Sequence, residues 1–161
     1  EGGVATPFIV HWPKGVSQHG TIIRDRAHII DLMPTLLDAA GADYPATFGG
    51  ETITPMEGTS LLPALTGKPL ARKNALFWEH NNNAAIREGD WKLVRTSRGP
   101  WELHDMAADR TELRDLAADK PQVAAELESK WNAWAERVGV FPKPDRKQAA
   151  PPAEDAGKGD E

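Results

Sequence analysis

Three short stretches in the second half of the chain constrain its fold most. "NALFWEH", "AAIREGDWKLVRTS" and "PWELHDM" are β-like runs separated by "NNN", "EGD" and "SRGP". Within the middle run, Trp91, Leu93 and Arg95 alternate with Lys92, Val94 and Thr96. That period of two is the pattern of a half-buried antiparallel strand. Gly89-Asp90 supplies a tight turn between two such strands. A sheet with one apolar face needs a cover. Proline at the start of "PQVAAELESKWNAWAERVG" suits a first helical position. Val123, Leu127, Trp131, Trp134 and Val138 then fall on one helical face, and Gly139 ends the segment. Strands followed by one matching amphipathic helix predict a small α+β unit, an antiparallel sheet with a packed C-terminal helix. The intervening "DMAADRTELRDLAADKP" reads as a loop with short helical turns.

The first half has a different texture. Phe8 to Trp12 reads as a short buried strand, followed by a loop through Pro13 and Gly15 to Gly20. Arg26 to Ala40 reads as a helix, with Ile29, Leu32, Met33, Leu36, Leu37 and Ala40 on one face. Gly41 stops it, and Pro34 predicts a kink or break within it. Residues 42–68 are rich in Gly, Pro and Thr and read as an irregular connection, with one helical turn at Ser60 to Leu65. The chain opens on Glu1 and enters the apolar run Phe8-Ile9-Val10 almost at once. It therefore reads as the back end of a longer protein. Beyond Pro142 the tail has almost no large apolar residue and is expected to be disordered. The expected organisation is 1–68 as the end of a larger α/β domain with its connecting loop, 69–141 as the sheet-plus-helix unit, and 142–161 as the tail.

Composition excludes several classes. A net charge of −5 argues against the basic face of a nucleic-acid binder. No run of apolar residues is long enough to span a membrane as a helix. There is no cysteine, so these residues hold no disulfide, no thiolate zinc site and no cysteine nucleophile. The six tryptophans predict a core or a stacking surface built from large flat side chains.

Several segments, in order, resemble one family. "EGG" followed by "PFIVHWPKG", "HIIDLMPTLLDAAGADYP", "ITPMEGTSLLPALTG", "FWEH", "AIREGDWKLVR", "GPWELHDMAADRTELRDLA" and the pattern W-x-x-W-A-x-R-x-x-V are similar to the C-terminal part of type I sulfatases. These are the formylglycine-dependent enzymes of the alkaline phosphatase superfamily, here of the arylsulfatase-like branch. The resemblance covers about residues 1–142. It implies an α/β parent fold, of which this chain holds the last strand and helix, followed by the small α+β domain. It implies hydrolysis of sulfate esters of carbohydrates or aryl groups, with calcium and a formylglycine nucleophile in the parent enzyme. It further implies a periplasmic or extracellular parent. The family's C/S-x-P-S-R motif is absent from this sequence. Its sulfate-binding lysine sits a few residues before E-G-G, and its acidic metal ligands lie outside the matched segments. No catalytic or metal residue is therefore assigned here. The alternatives are a phosphonate or phosphodiester hydrolase of the same superfamily, and a non-catalytic module that binds polysaccharide or a partner.

The candidate substrate-binding residues are His80 and Asn83. Relatives share the pattern E-H-x-x-N-x-A-x-R, and "EHNNNAAIR" keeps His80, Asn83 and Arg87, with alanine at position 84 where relatives often carry arginine. The stretch marks a strand-to-loop handover that either reaches a cleft rim, where imidazole and amide groups bond a sulfated substrate, or satisfies its own backbone. Asp25, His28 and Asp31 are spaced to gather on one helix side, but a metal needs further ligands, and helix N-terminal polarity explains the acids as well. Gly2 and Gly3 either permit close backbone approach to a ligand or make a turn, and the turn is favoured. Trp78, Trp91 and Trp101 stack sugars or, more commonly in such strands, form core with Trp131 and Trp134. Lys92 and Arg95 are expected to be solvated.

Overall fold

The computed structural model describes residues 1–141 apart from Gln18 and Arg98. The expected disordered tail, 142–161, lies outside the described residues. In chain order come a 3-10 turn (Ile29–Asp31) leading into α1 (Leu32–Ala40), a hairpin of β1 (Thr47–Phe48) and β2 (Glu51–Thr52), and α2 (Leu62–Leu65). Then follow β3 (Leu76–His80), β4 (Asn83–Glu88), β5 (Trp91–Arg95), β6 (Glu102–Asp105) and α3 (Pro121–Arg137).

Turn chemistry builds the larger sheet. Asn81 and Asn82 hold positive φ values of 51° and 71° between β3 and β4. Both central residues of a tight type I′ hairpin need that geometry, and asparagine tolerates it. Gly89, at φ 55°, opens the turn between β4 and β5. The four strands run β3-β4-β5-β6, each antiparallel to the next. The register aligns Phe77, Ile86, Leu93 and Leu103 across the sheet. Directly opposed residues share a face, so these four form one apolar row. Helix α3 lies on it, burying Leu127, Trp131 and Ala135. Trp134 stacks on Phe77 with ring centroids 5.1 Å apart, and Trp131 donates its indole N–H to the Trp78 carbonyl at 3.1 Å. Val138, expected on the buried face, is 44% exposed because it lies past the end of the helix, and Ala135 fills the core instead.

The first half differs from its sequence reading in three respects. Phe8 to Trp12 is not a strand, and Ile9 is 88% exposed. A strand needs a neighbour to bond its ladder, and among the described residues none lies beside this segment. The helix begins at Leu32 rather than Arg26, because His28 is extended and caps the 3-10 turn ahead of it. Pro34 then falls in the first turn of α1, where its missing N–H is not needed. The connection also contains the β1–β2 hairpin, turned by Gly49 and Gly50 in left-handed conformations.

Asp31 ties the halves together. Its side chain is fully buried. It accepts from the backbone N–H of His28 at 2.7 Å and of Thr59 at 2.8 Å, and it pairs with the Arg72 guanidinium. Arg26 adds a second tie, donating to the Gly89 carbonyl at 2.6 Å.

Candidate functional site

The sheet face opposite α3 gathers imidazole, amide and charged side chains. Alternation from the apolar row places Trp78, His80, Asn83, Arg87, Lys92 and His104 on that face. His80 and Asn83 are the last pair before the turn, so both sit at the hairpin tip, exposed. The two have different surroundings. Asn83 is engaged with backbone at both ends of its amide: Nδ2 donates to the His80 carbonyl at 2.8 Å, and Oδ1 accepts from Ser97 N–H at 3.2 Å. Among the described residues the His80 ring meets only its neighbour, with Nε2 2.9 Å from Asn81 Nδ2. Since the Asn81 amide donates, Nε2 is the accepting nitrogen, and Nδ1 meets no partner among the described residues.

Two residues down β3, Trp78 meets His28 edge-on, with ring centroids 5.3 Å apart and planes at 74°. His28 Nδ1 accepts from the Ile30 backbone N–H at 3.4 Å. Burial lowers the His28 pKa from 6.5; Asp31 opposes that and Arg72 adds to it.

Further along this face lies an ionic cluster. The Glu1 carboxylate accepts from Arg87 at 3.0 Å and from Lys92 at 3.1 Å, and Lys92 reaches Glu112 at 2.6 Å. Lys92 is buried, which corrects its expected solvation: the alternating pattern gives its face but not the carboxylates that cover it. Arg95 is also not simply solvated. Its guanidinium lies 4.6 Å from the Trp101 ring centroid and 5.5 Å from that of Trp131, a cation–π arrangement on the helix side. Trp91 and Trp101 likewise pack against the core cluster. A cavity of about 170 Å³ on that side is lined by Glu79, Asn82, Arg95, Ser97, Trp131 and Phe141.

Asp25, His28 and Asp31 do not come together as ligands, because both Asp31 oxygens are engaged by protein donors. No group of three or more metal-ligating side chains exists among the described residues. Calcium takes six or more oxygens, more than Asp25, His28 and Asp31 offer. Gly2 and Gly3 form a turn in which the Glu1 carbonyl accepts from Val4 and Ala5 N–H, both at 3.0 Å. The pairing of Trp78 with His28 and of Lys92 with Glu112 escaped the sequence reading. Each joins residues far apart in the chain, which no local spacing reports.

The family described as "N-sulphoglucosamine sulphohydrolase, C-terminal" matches residues 1–137. An ulvan-active sulfatase of Formosa agariphila is 31% identical over 103 residues, covering 58% of this chain and 19% of that protein. The N-sulphoglucosamine sulphohydrolase of Homo sapiens is 40% identical over 70 residues, covering 42% of this chain and 14% of that protein. The chain thus spans less than a fifth of either relative. The solved structure of Ps i-CgsB aligns with a TM-score of 0.64 at 21% identity, covering 83% of this chain and 33% of that one, a likeness of fold.

Proposed function

Because the chain belongs to the N-sulphoglucosamine sulphohydrolase C-terminal family, we propose that it forms the C-terminal part of a sulfatase hydrolysing sulfate esters of carbohydrates or aryl groups. The observation that carries this is the family match running unbroken from the Glu-Gly-Gly turn to the end of α3. By their names the relatives reported above are an ulvan-active sulfatase and a sulphohydrolase of N-sulphoglucosamine, in keeping with the reading.

A formylglycine nucleophile and a calcium ion would supply attack on sulfur and charge neutralisation in the whole enzyme. Neither fits the described residues, so this chain's part is to bind and orient. His80 presents Nδ1–H at the hairpin tip, where it donates to a substrate oxygen. Asn83 acts through it as a positioning residue, fastening the His80 carbonyl and the turn after β5 to one another. The core anchors the strands of the tip: Phe77 of β3 stacks on Trp134, and Ile86 of β4 is buried in the cluster with Trp131.

The test uses the longer protein that this reading requires. His80→Ala is expected to lower kcat/KM on a sulfated saccharide or an aryl sulfate by roughly tenfold to a hundredfold, the effect of one lost hydrogen bond. Its melting temperature should not change. An unchanged kcat/KM with a lower melting temperature would assign His80 to the fold. Turnover of a phosphonate ester in preference to the sulfate ester would replace the sulfatase reading. The 161-residue chain alone, given calcium and an aryl sulfate, is expected to show no turnover.

A further inference from the structure

Two imidazoles address the same strand from different parts of the chain. His28 reaches Trp78 edge-on, and His80 follows Trp78 by two residues, on the same sheet face. Each ring is held by one nitrogen. The Ile30 N–H fixes His28 through Nδ1, which leaves the proton on Nε2; the Asn81 amide fixes His80 through Nε2, which leaves the proton on Nδ1. No protein acceptor meets either N–H among the described residues. Trp78 is half-buried, so the residue keeps some accessible surface. The two charges that act on His28, Asp31 and Arg72, are paired with one another. Burial also keeps His28 uncharged at neutral pH.

An aromatic surface flanked by two imidazole N–H donors suits a pyranose better than a bare anion. The indole covers the apolar C–H surface of a ring, and N–H groups bond its hydroxyl or sulfate oxygens. An anion alone would call for free positive charge, whereas Arg87 and Lys92 on this face are paired with Glu1. We propose that His28, Trp78 and His80 form one binding site for a sulfated sugar ring, with His28 a specificity-determining residue. The proposal rests on the sulfatase reading above and adds to it a residue that lies 52 positions before His80.

The 161-residue chain, labelled with ¹⁵N, would be titrated with an N- and O-sulfated glucosamine disaccharide and with its unsulfated counterpart. The His28 and His80 ring signals and the Trp78 indole signal are expected to shift together, with the sulfated form binding more tightly. His28→Asn keeps a side-chain oxygen to cap the 3-10 turn, so the melting temperature should hold while affinity falls about tenfold, as one lost hydrogen bond gives. Wild-type affinity in His28→Asn overturns the proposal. So does a His80 shift without a His28 shift, and in both cases the sulfatase reading survives. No response at any of the three residues also overturns it. If all three shift but sulfated and unsulfated sugars bind equally, the site stands and the sulfate-ester reading fails.

Discussion

Asp31 has no exposed side-chain surface, and both its oxygens receive donors from elsewhere in the fold. Its partner Arg72 is nearly as buried. Removing one member of such a pair strands the other charge away from water. Asp31→Ala is therefore expected to lower stability by about 3–5 kcal/mol, read as a fall in the urea midpoint at unchanged slope. A loss under about 1 kcal/mol would mean that the Arg72 side chain finds water instead. Nothing local marks Asp31 for this role; from the sequence it is one acid among several near a helix start. Lys92 and Arg95 were opaque for the same reason. Alternation assigns a side chain to a face, but the cover on that face comes from Glu1, Glu112, Trp101 and Trp131. His80 and Asn83 were legible as a hairpin tip, because turn residues act locally. Which of them is engaged by backbone depended on Ser97, across the sheet.

Among the elements, α3 and the four-stranded sheet were legible because their signals are short-range: period-two alternation, left-handed asparagine or glycine between strands, and proline at the helix start. The strand expected at Phe8 failed since ladder bonds need a neighbour that no local pattern can promise. Residues of α3 differ sharply in what they hold. Trp131 is 1% exposed and packs under Trp101, Trp134 and Phe141. Trp131→Ala should cost about 3–5 kcal/mol, whereas Val138→Ala, beyond the helix end, should stay within about 0.5 kcal/mol. Equal losses in paired thermal denaturations would contradict the packing described. The loop before α3 is organised by carboxylates. Asp109 accepts from Leu113 N–H at 2.7 Å, Arg114 N–H at 2.9 Å and both Thr111 donors, and Asp115 accepts from Ala117 at 2.8 Å and Leu103 at 2.9 Å. Backbone donors, the Arg114 N–H foremost for Asp109 and the Ala117 N–H for Asp115, lower both pKa values below 3.8. A depressed carboxylate stabilises the fold above its unfolded pKa, and that contribution is lost as pH falls through the folded value. Loop order should thus persist through pH 4 and fail only at lower pH. Carboxyl ¹³C titration showing ordinary midpoints for both residues would refute this.

Across the whole molecule, apolar cover is unevenly distributed. In the sheet-plus-helix unit, Ile86, Leu93 and Leu103 have no exposed surface. In the first half, Phe8, Ile9, Ile29, Met33 and Leu36 are each more than half exposed, and α1 buries no residue of its own. We propose that residues 69–141 are the cooperative unit and that 1–68 is held to it chiefly by Asp31–Arg72 and the Arg26 and Glu1 contacts. Polar ties of this kind fasten a segment without giving it a core, so it should open locally at a lower free energy than the sheet. Native-state hydrogen exchange separates the two. Amides of Ile86 and Leu93, in central strands, should exchange only with global unfolding. Amides of Leu36 and Leu37 should exchange much faster, through an opening that leaves the sheet intact. Raising denaturant should accelerate the first pair steeply and the second only weakly, since the local opening exposes little new surface. Equal protection and equal denaturant slopes at both places would mean that α1 folds and unfolds with the sheet, and that the polar ties at Asp31 and Glu1 couple the halves into one unit.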